Sequence, residues 1–164
     1  MKRGHWQILL AAALFLLALG LTLYPVVSNW YIGRHQSRIQ TEYREVLEQT
    51  DSAEIESIRE SAVAYNKTIT PGAAEEAYSQ ASIRLAAEDY VNQLNVSGSG
   101  IMGYVEIPKI GVDLPIYHGT GADSLDRGTG HLLGSSLPVG GESTHTIITG
   151  HSGMASQKMF TDLE

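Results

Sequence analysis

Between Arg3 and Arg34 the chain carries no Asp, Glu, Lys or Arg, and within that gap Ile8 to Val27 is a run of about twenty apolar residues, broken only by Gly20, Thr22, Tyr24 and Pro25. As a helix, at ~1.5 Å per residue, such a run spans about 30 Å, the thickness of the hydrocarbon core of a bilayer. Trp6 lies before it, and Tyr24, Trp30 and Tyr31 lie at its far end, as interfacial aromatic belts do. Lys2, Arg3 and the terminal amine favour a cytoplasmic N-terminus, against the opposing pull of Arg34 and Arg38. A cleaved signal peptide is the competing reading. The run is long for a signal h-region and no clear small-x-small site follows it, so an uncleaved signal anchor is expected. Either way, the remainder is exported to the extracytoplasmic side of the cell membrane.

That remainder is acidic. The 164 residues hold 11 Lys+Arg against 18 Asp+Glu, a net charge of −7. Two of the basic residues, Lys2 and Arg3, precede the apolar run, so the exported part is more negative still. A nucleic-acid partner needs a basic face and is not expected. The chain has no cysteine, which removes disulfides, thiolate metal sites and thiol nucleophiles from these residues.

Three regions are expected: a cytoplasmic N-terminus and signal-anchor transmembrane helix (1–33), a helical segment (34–95) and a β-rich segment (96–164). In the second, Ile39, Tyr43, Val46, Leu47, Ile55, Ile58, Ala62 and Tyr65 recur mostly at spacings of three and four, with a lapse at 49–52 that predicts a break. Arg44 and Glu48 are placed to pair along that helix. Thr70-Pro71-Gly72 reads as a turn into a further helix, with Glu75 and Glu76 in its first turn and Tyr78, Ala81 and Leu85 on its buried stripe. These stripes read as ordinary packing. Residues 95–100 (NVSGSG) mark a boundary.

After Gly100 the pattern changes to short strands with Gly and Pro turns, which predicts a β-barrel or sandwich. Strands are expected at 103–107 (GYVEI) and 112–117 (VDLPIY), with Pro115 marking an edge strand or a bulge. A helical turn is expected at 122–127, a short strand within 128–134 and a helix over 154–164. Thr144 to Thr149 alternates as a strand that ends at Gly150, followed by His151 and the turn Ser152-Gly153. A histidine at a strand end between two glycines is either a cap whose nitrogens bond backbone or a catalytic imidazole held on a rigid scaffold. His118, His131, His145 and His151 match no compact metal motif in their spacing, and no metal or cofactor is expected.

The segments GYVEIPKIGVDLPIYHGT, GTGHLLGSSLPVGG and THTIITGHSG, in this order and spacing, resemble the front of a sortase domain, in particular class C, the pilin-polymerising type of Gram-positive bacteria. The resemblance runs from about Ile101 to Glu164, and the N-terminal anchor and helical segment also match that class. It implies a mainly β, sortase-type barrel, incomplete within this chain, behind a transmembrane helix and an α-helical segment. It implies a cysteine transpeptidase that cuts LPXTG-type sorting signals between Thr and Gly, holds the Thr carbonyl as a thioester and passes it to an amine. The implied partners are pilins or surface proteins with such signals, and a pilin lysine or cell-wall precursor as the amine. The catalytic histidine of the T-G-H motif falls on His151; His131, in G-H-L, is given a structural role.

Two departures from the family pattern bear on this. The nucleophilic cysteine and the arginine of the family belong to later strands, and neither is present here. Without a thiol no covalent intermediate forms, so the expectation is an inactive, truncated sequence with its motif spacing intact. Class C enzymes often carry a lid with an Asp-Pro-aromatic anchor, but Pro71 is the only proline between Tyr65 and Asn95. The alternative to an enzyme is a membrane-anchored extracytoplasmic binding or scaffold module with no chemistry.

Overall fold

The computed structural model describes residues 2–70, 89–153 and 159–163. Helix α1 runs from Lys2 to Gln49 without interruption, through Pro25 and past the end of the apolar run. Its apolar face lies open, with Leu9, Phe15, Leu16 and Leu21 all exposed. The predicted break follows it: Asp51 accepts a hydrogen bond from the Ala53 N–H and starts α2, Ser52–Asn66. Helix α2 buries Ala62 and presents Tyr65 to the sheet side. The expected helix over 71–85 lies outside the described residues, which resume at a helical turn, 89–92.

Strands β1 (Ile101–Ile107) and β2 (Val112–His118) form an antiparallel hairpin around a 3₁₀ turn, Pro108–Ile110. Gly111 closes that turn in the left-handed region, at φ 64°. Strand β3 (Thr129–His131) joins β2 in parallel after the short helix α3 (Ala122–Arg127), and β4 (Ile148–Thr149) pairs with β3 antiparallel. The result is a four-stranded mixed sheet in the order β1-β2-β3-β4.

Met102 is a bulge: Ile101 pairs with Tyr117 while Gly103 pairs with Ile116. The extra residue switches the alternation, so that Ile101 and Tyr104 both turn toward α1 while Met102 packs with Ile116. On the α1 side the core is Tyr43, Ile101 and Tyr117. A second cluster joins α2, the 89–92 turn and the sheet through Ala62, Tyr90, Met102, Ile116 and Leu137. The third packs Val112 and Leu114 against Met159.

Several local expectations are corrected. Pro115 lies on an inner strand, and the bulge is on β1. Its carbonyl accepts from Thr129 Oγ1 at 2.9 Å, so its missing N–H faces β3, whose ladder begins only at Ile116. Arg44 bonds Glu106 across the fold at 3.0 Å rather than Glu48 along the helix. The 144–149 strand shrinks to Ile148–Thr149. The backbone before it is held by loop groups instead: His145 N–H donates to Ser136 Oγ and Ile147 N–H to Ser135 Oγ, both at 3.2 Å. The 128–134 strand is confined to Thr129–His131. Residues 159–163 are turns, not helix; the rest of that expected helix, 154–158 and Glu164, lies outside the described residues.

Candidate functional site

The parallel pairing of β2 with β3 depends on glycines. A Cβ on Gly128 would lie 2.6 Å from the Pro115 carbonyl oxygen, and one on Gly130 would collide with the Gly119 carbonyl. Those two positions let β3 slide against β2 and bring α3 beside the end of β4. Thr149 pairs with Gly130, so His151, two residues on, falls level with Gly128 at the close of α3. Asp126 of α3 thereby reaches it, with Oδ1 3.7 Å from His151 Nε2, outside direct hydrogen-bond range. Both side chains meet solvent, at 42% and 66% exposure, so the attraction is screened and weak.

Residues 159–163 fold back on this end of β4. Phe160 N–H points to the His151 carbonyl at 3.4 Å, and Thr161 Oγ1 donates to the Ser152 carbonyl at 3.0 Å. Phe160 presses on Gly150, where a Cβ would stand 2.5 Å from its ring and 3.3 Å from Thr129 Cγ2. Beside His151 opens a groove of about 560 Å³, walled by Val105, Ile107, Ile148 and Phe160. Gly150 and Ser152, on either side of His151, line the groove, while the half-exposed His151 ring faces Asp126.

The other histidines are used differently. His131 is fully buried, with Nε2 on the Ser136 carbonyl at 2.9 Å and Nδ1 on the Tyr90 hydroxyl at 2.9 Å. Burial pushes its pKa below the ordinary histidine value; the Ser136 bond opposes this and nearby His118 adds to it. His118 sets Nδ1 against the Gly100 carbonyl and Nε2 against the Gln93 carbonyl, at 3.0 and 2.8 Å. His145 is exposed, beside a second groove between α2 and the 134–147 loop. His118 and His131 are brought together, both against the ring of Tyr90. Among the described residues no group of three or more His, Cys, Asp or Glu is placed to hold a metal ion.

Sequence reasoning missed Tyr90 and Asp126. Tyr90 is 4% exposed, its hydroxyl takes the Gly119 N–H at 2.9 Å, and burial raises its pKa. Tyr90 lies beyond the stripe of Tyr78, Ala81 and Leu85, where the apolar spacing gives no signal for it. Asp126 has no local signal, because only the β2–α3–β3 crossover brings it to His151.

A family model, the sortase domain, matches residues 105–164. Sortase D of Bacillus subtilis (strain 168) is 45% identical over 49 residues, which are 30% of this chain and 24% of that protein. Sortase C1 from Streptococcus agalactiae superposes with a TM-score of 0.67 at 40% identity, covering 77% of this chain and 63% of the other. For Streptococcus pneumoniae sortase C the values are 0.64, 38%, 77% and 61%, and for Corynebacterium diphtheriae sortase A 0.57, 35%, 80% and 63%. The chain thus spans about a quarter of the curated relative and under two thirds of these solved structures. The sortase-domain match in residues 105–164 and the sortase-like fold, with its partial mixed sheet, together support the sortase family for this chain.

Proposed function

We propose that the chain supplies the histidine half of a class C sortase site, held outside the cell membrane by the apolar part of α1. The supporting observation is His151: it stands just past the end of β4, half exposed, between Gly150 and Ser152, which line an apolar groove. The class C assignment draws on the likeness to the two streptococcal sortase C structures. The anchor draws on the apolar window of α1, of mean hydropathy 2.3 and with none of it buried.

In this reading the substrate is an LPXTG-type signal on a pilin or surface protein. A cysteine thiolate attacks the Thr carbonyl, the Thr–Gly bond breaks, and the leaving Gly amine takes its proton from the His151 imidazolium. An incoming amine then attacks the thioester and gives a proton back to neutral His151, which releases the thiolate. The 164 residues hold no cysteine, so by themselves they form no thioester. Asp126 lies on the Nε2 side of the ring, at 3.7 Å.

The test joins these residues to strands that carry the cysteine and arginine, and follows cleavage of a fluorogenic LPXTG-type peptide. General acid–base help is typically worth ~10²–10⁴ in rate, so His151→Ala should abolish measurable turnover. His131→Ala and His145→Ala should leave it detectable. Full activity in His151→Ala would show that the imidazole has been assigned to the wrong motif. No cleavage by the parent protein, with its fold intact, would favour the non-catalytic scaffold.

A further inference from the structure

Helix α1 does not end where the apolar run ends. From Val27 to Tyr43 it rises a further ~24 Å at ~1.5 Å per residue. That stretch is braced along its length by neighbours about one turn apart. The Arg34 guanidinium lies over the Trp30 ring at 4.6 Å, Thr41 Oγ1 donates to the Ser37 carbonyl at 2.9 Å, and Arg38 pairs with Glu42 at 2.9 Å.

The last turns grip the sheet with two parallel rows. Ile39, Tyr43 and Leu47 form an apolar row against Ile101, Tyr104 and Tyr117, with the Tyr43 and Tyr104 rings 5.4 Å apart. Beside it runs a polar row. Gln40 Nε2 donates to Asp113 Oδ2, and one turn later Arg44 donates to Glu106 Oε1 at 3.0 Å. Glu106 and Asp113 are direct partners across β1 and β2, so two adjacent helix turns hold two facing strand residues. An apolar row sets the distance between helix and sheet. The flanking pair of polar contacts resists sliding and rolling of the helix, because a shift along or around its axis breaks both.

We propose that α1 is a rigid strut that fixes the height and orientation of the sheet, and with it His151 and the groove at the end of β4, relative to the bilayer. A flexible tether would let the groove sample a broad shell above the membrane; the strut presents it at one level and one angle. The claim rests on the anchor reading given above for the apolar part of α1.

The chain has no cysteine, so a pair of introduced cysteines gives the only labels. Leu21→Cys and Lys109→Cys, both exposed positions, would carry spin labels in the full 164-residue chain reconstituted in phosphatidylcholine–phosphatidylglycerol vesicles. The strut gives one narrow distance distribution by double electron–electron resonance. Inserting Gly-Ser-Gly-Gly after Ser37 broadens it, and so does Gln40→Ala with Tyr43→Ala and Arg44→Ala. A broad distribution in the parent chain, or no broadening on insertion, overturns the strut. Oxygen and nickel-chelate accessibility at the Leu21 label reads the anchor separately. A lipid-protected label with a broad distribution overturns the strut alone. A water-accessible label overturns the anchor, and the membrane role of the strut with it.

Discussion

Gly150 and Phe160 stand in direct apposition: a Cβ on residue 150 would lie 2.5 Å from Phe160 Cε2 and 3.0 Å from Cδ2. The glycine that separates β4 from His151 therefore serves as more than a turn residue. It lets the 159–163 segment close over the strand end, where Phe160 meets the His151 backbone and forms one wall of the groove.

Gly150→Ala should accordingly displace Phe160 and destabilise the fold by about 1–3 kcal/mol, the usual cost of overpacking. The urea midpoint should fall, and the second variant Phe160→Leu, made on the Gly150→Ala background, should recover much of the loss. Additive losses in the double variant would show that the two residues are not coupled as described.

The hydroxyl of Tyr90 joins three groups. It accepts from the Gly119 N–H at 2.9 Å and faces both Nδ1 and the carbonyl of His131, at 2.9 and 3.0 Å. Tyr90→Phe keeps the ring in its cluster but leaves the Gly119 N–H and His131 Nδ1 without that partner. A cost of about 1–3 kcal/mol is expected, without a change of fold by circular dichroism. An unchanged melting temperature would mean that water or a shifted loop satisfies both groups.

Sequence pattern alone placed the β1–β2 hairpin, because alternation and the Pro108 and Gly111 punctuation are local signals. It also placed His151 at a strand end, from the Thr149-Gly150-His151-Ser152-Gly153 succession. It missed the shortening of the strand before it, since the partners of residues 145 and 147 are hydroxyls of Ser135 and Ser136 that no periodicity announces. Helical spacing pairs Arg44 with Glu48, whereas in the fold it bonds Glu106, on a strand 62 residues away. The missing N–H of Pro115 by itself suggests an edge strand or a bulge. What decides its place is where β3 begins, and that depends on the glycines at 128 and 130. In each case the missing information was tertiary pairing, not local preference.

His131 should make stability depend on pH. Its Nε2 lies against the Ser136 carbonyl and its Nδ1 against the Tyr90 hydroxyl, in a buried site that favours the neutral ring over the charged one. Burial is the first cause of its lowered pKa, and the positive field of His118, when charged, acts in the same direction. The unfolded chain, with an ordinary value of 6.5, takes up a proton before the folded one does. The stabilisation is therefore complete above about pH 6.5 and is lost as the pH falls toward the folded value, with a slope of at most ~1.4 kcal/mol per pH unit for one group. Urea unfolding followed from pH 8 to pH 5 should show this decline in the parent chain. His131→Gln, which cannot titrate, should be less stable at pH 8 but flatter over the same range, so that the two curves converge as acid is added. Parallel curves would mean that the ring binds its proton equally well folded and unfolded, and that burial against Tyr90 and Ser136 does not favour the neutral form.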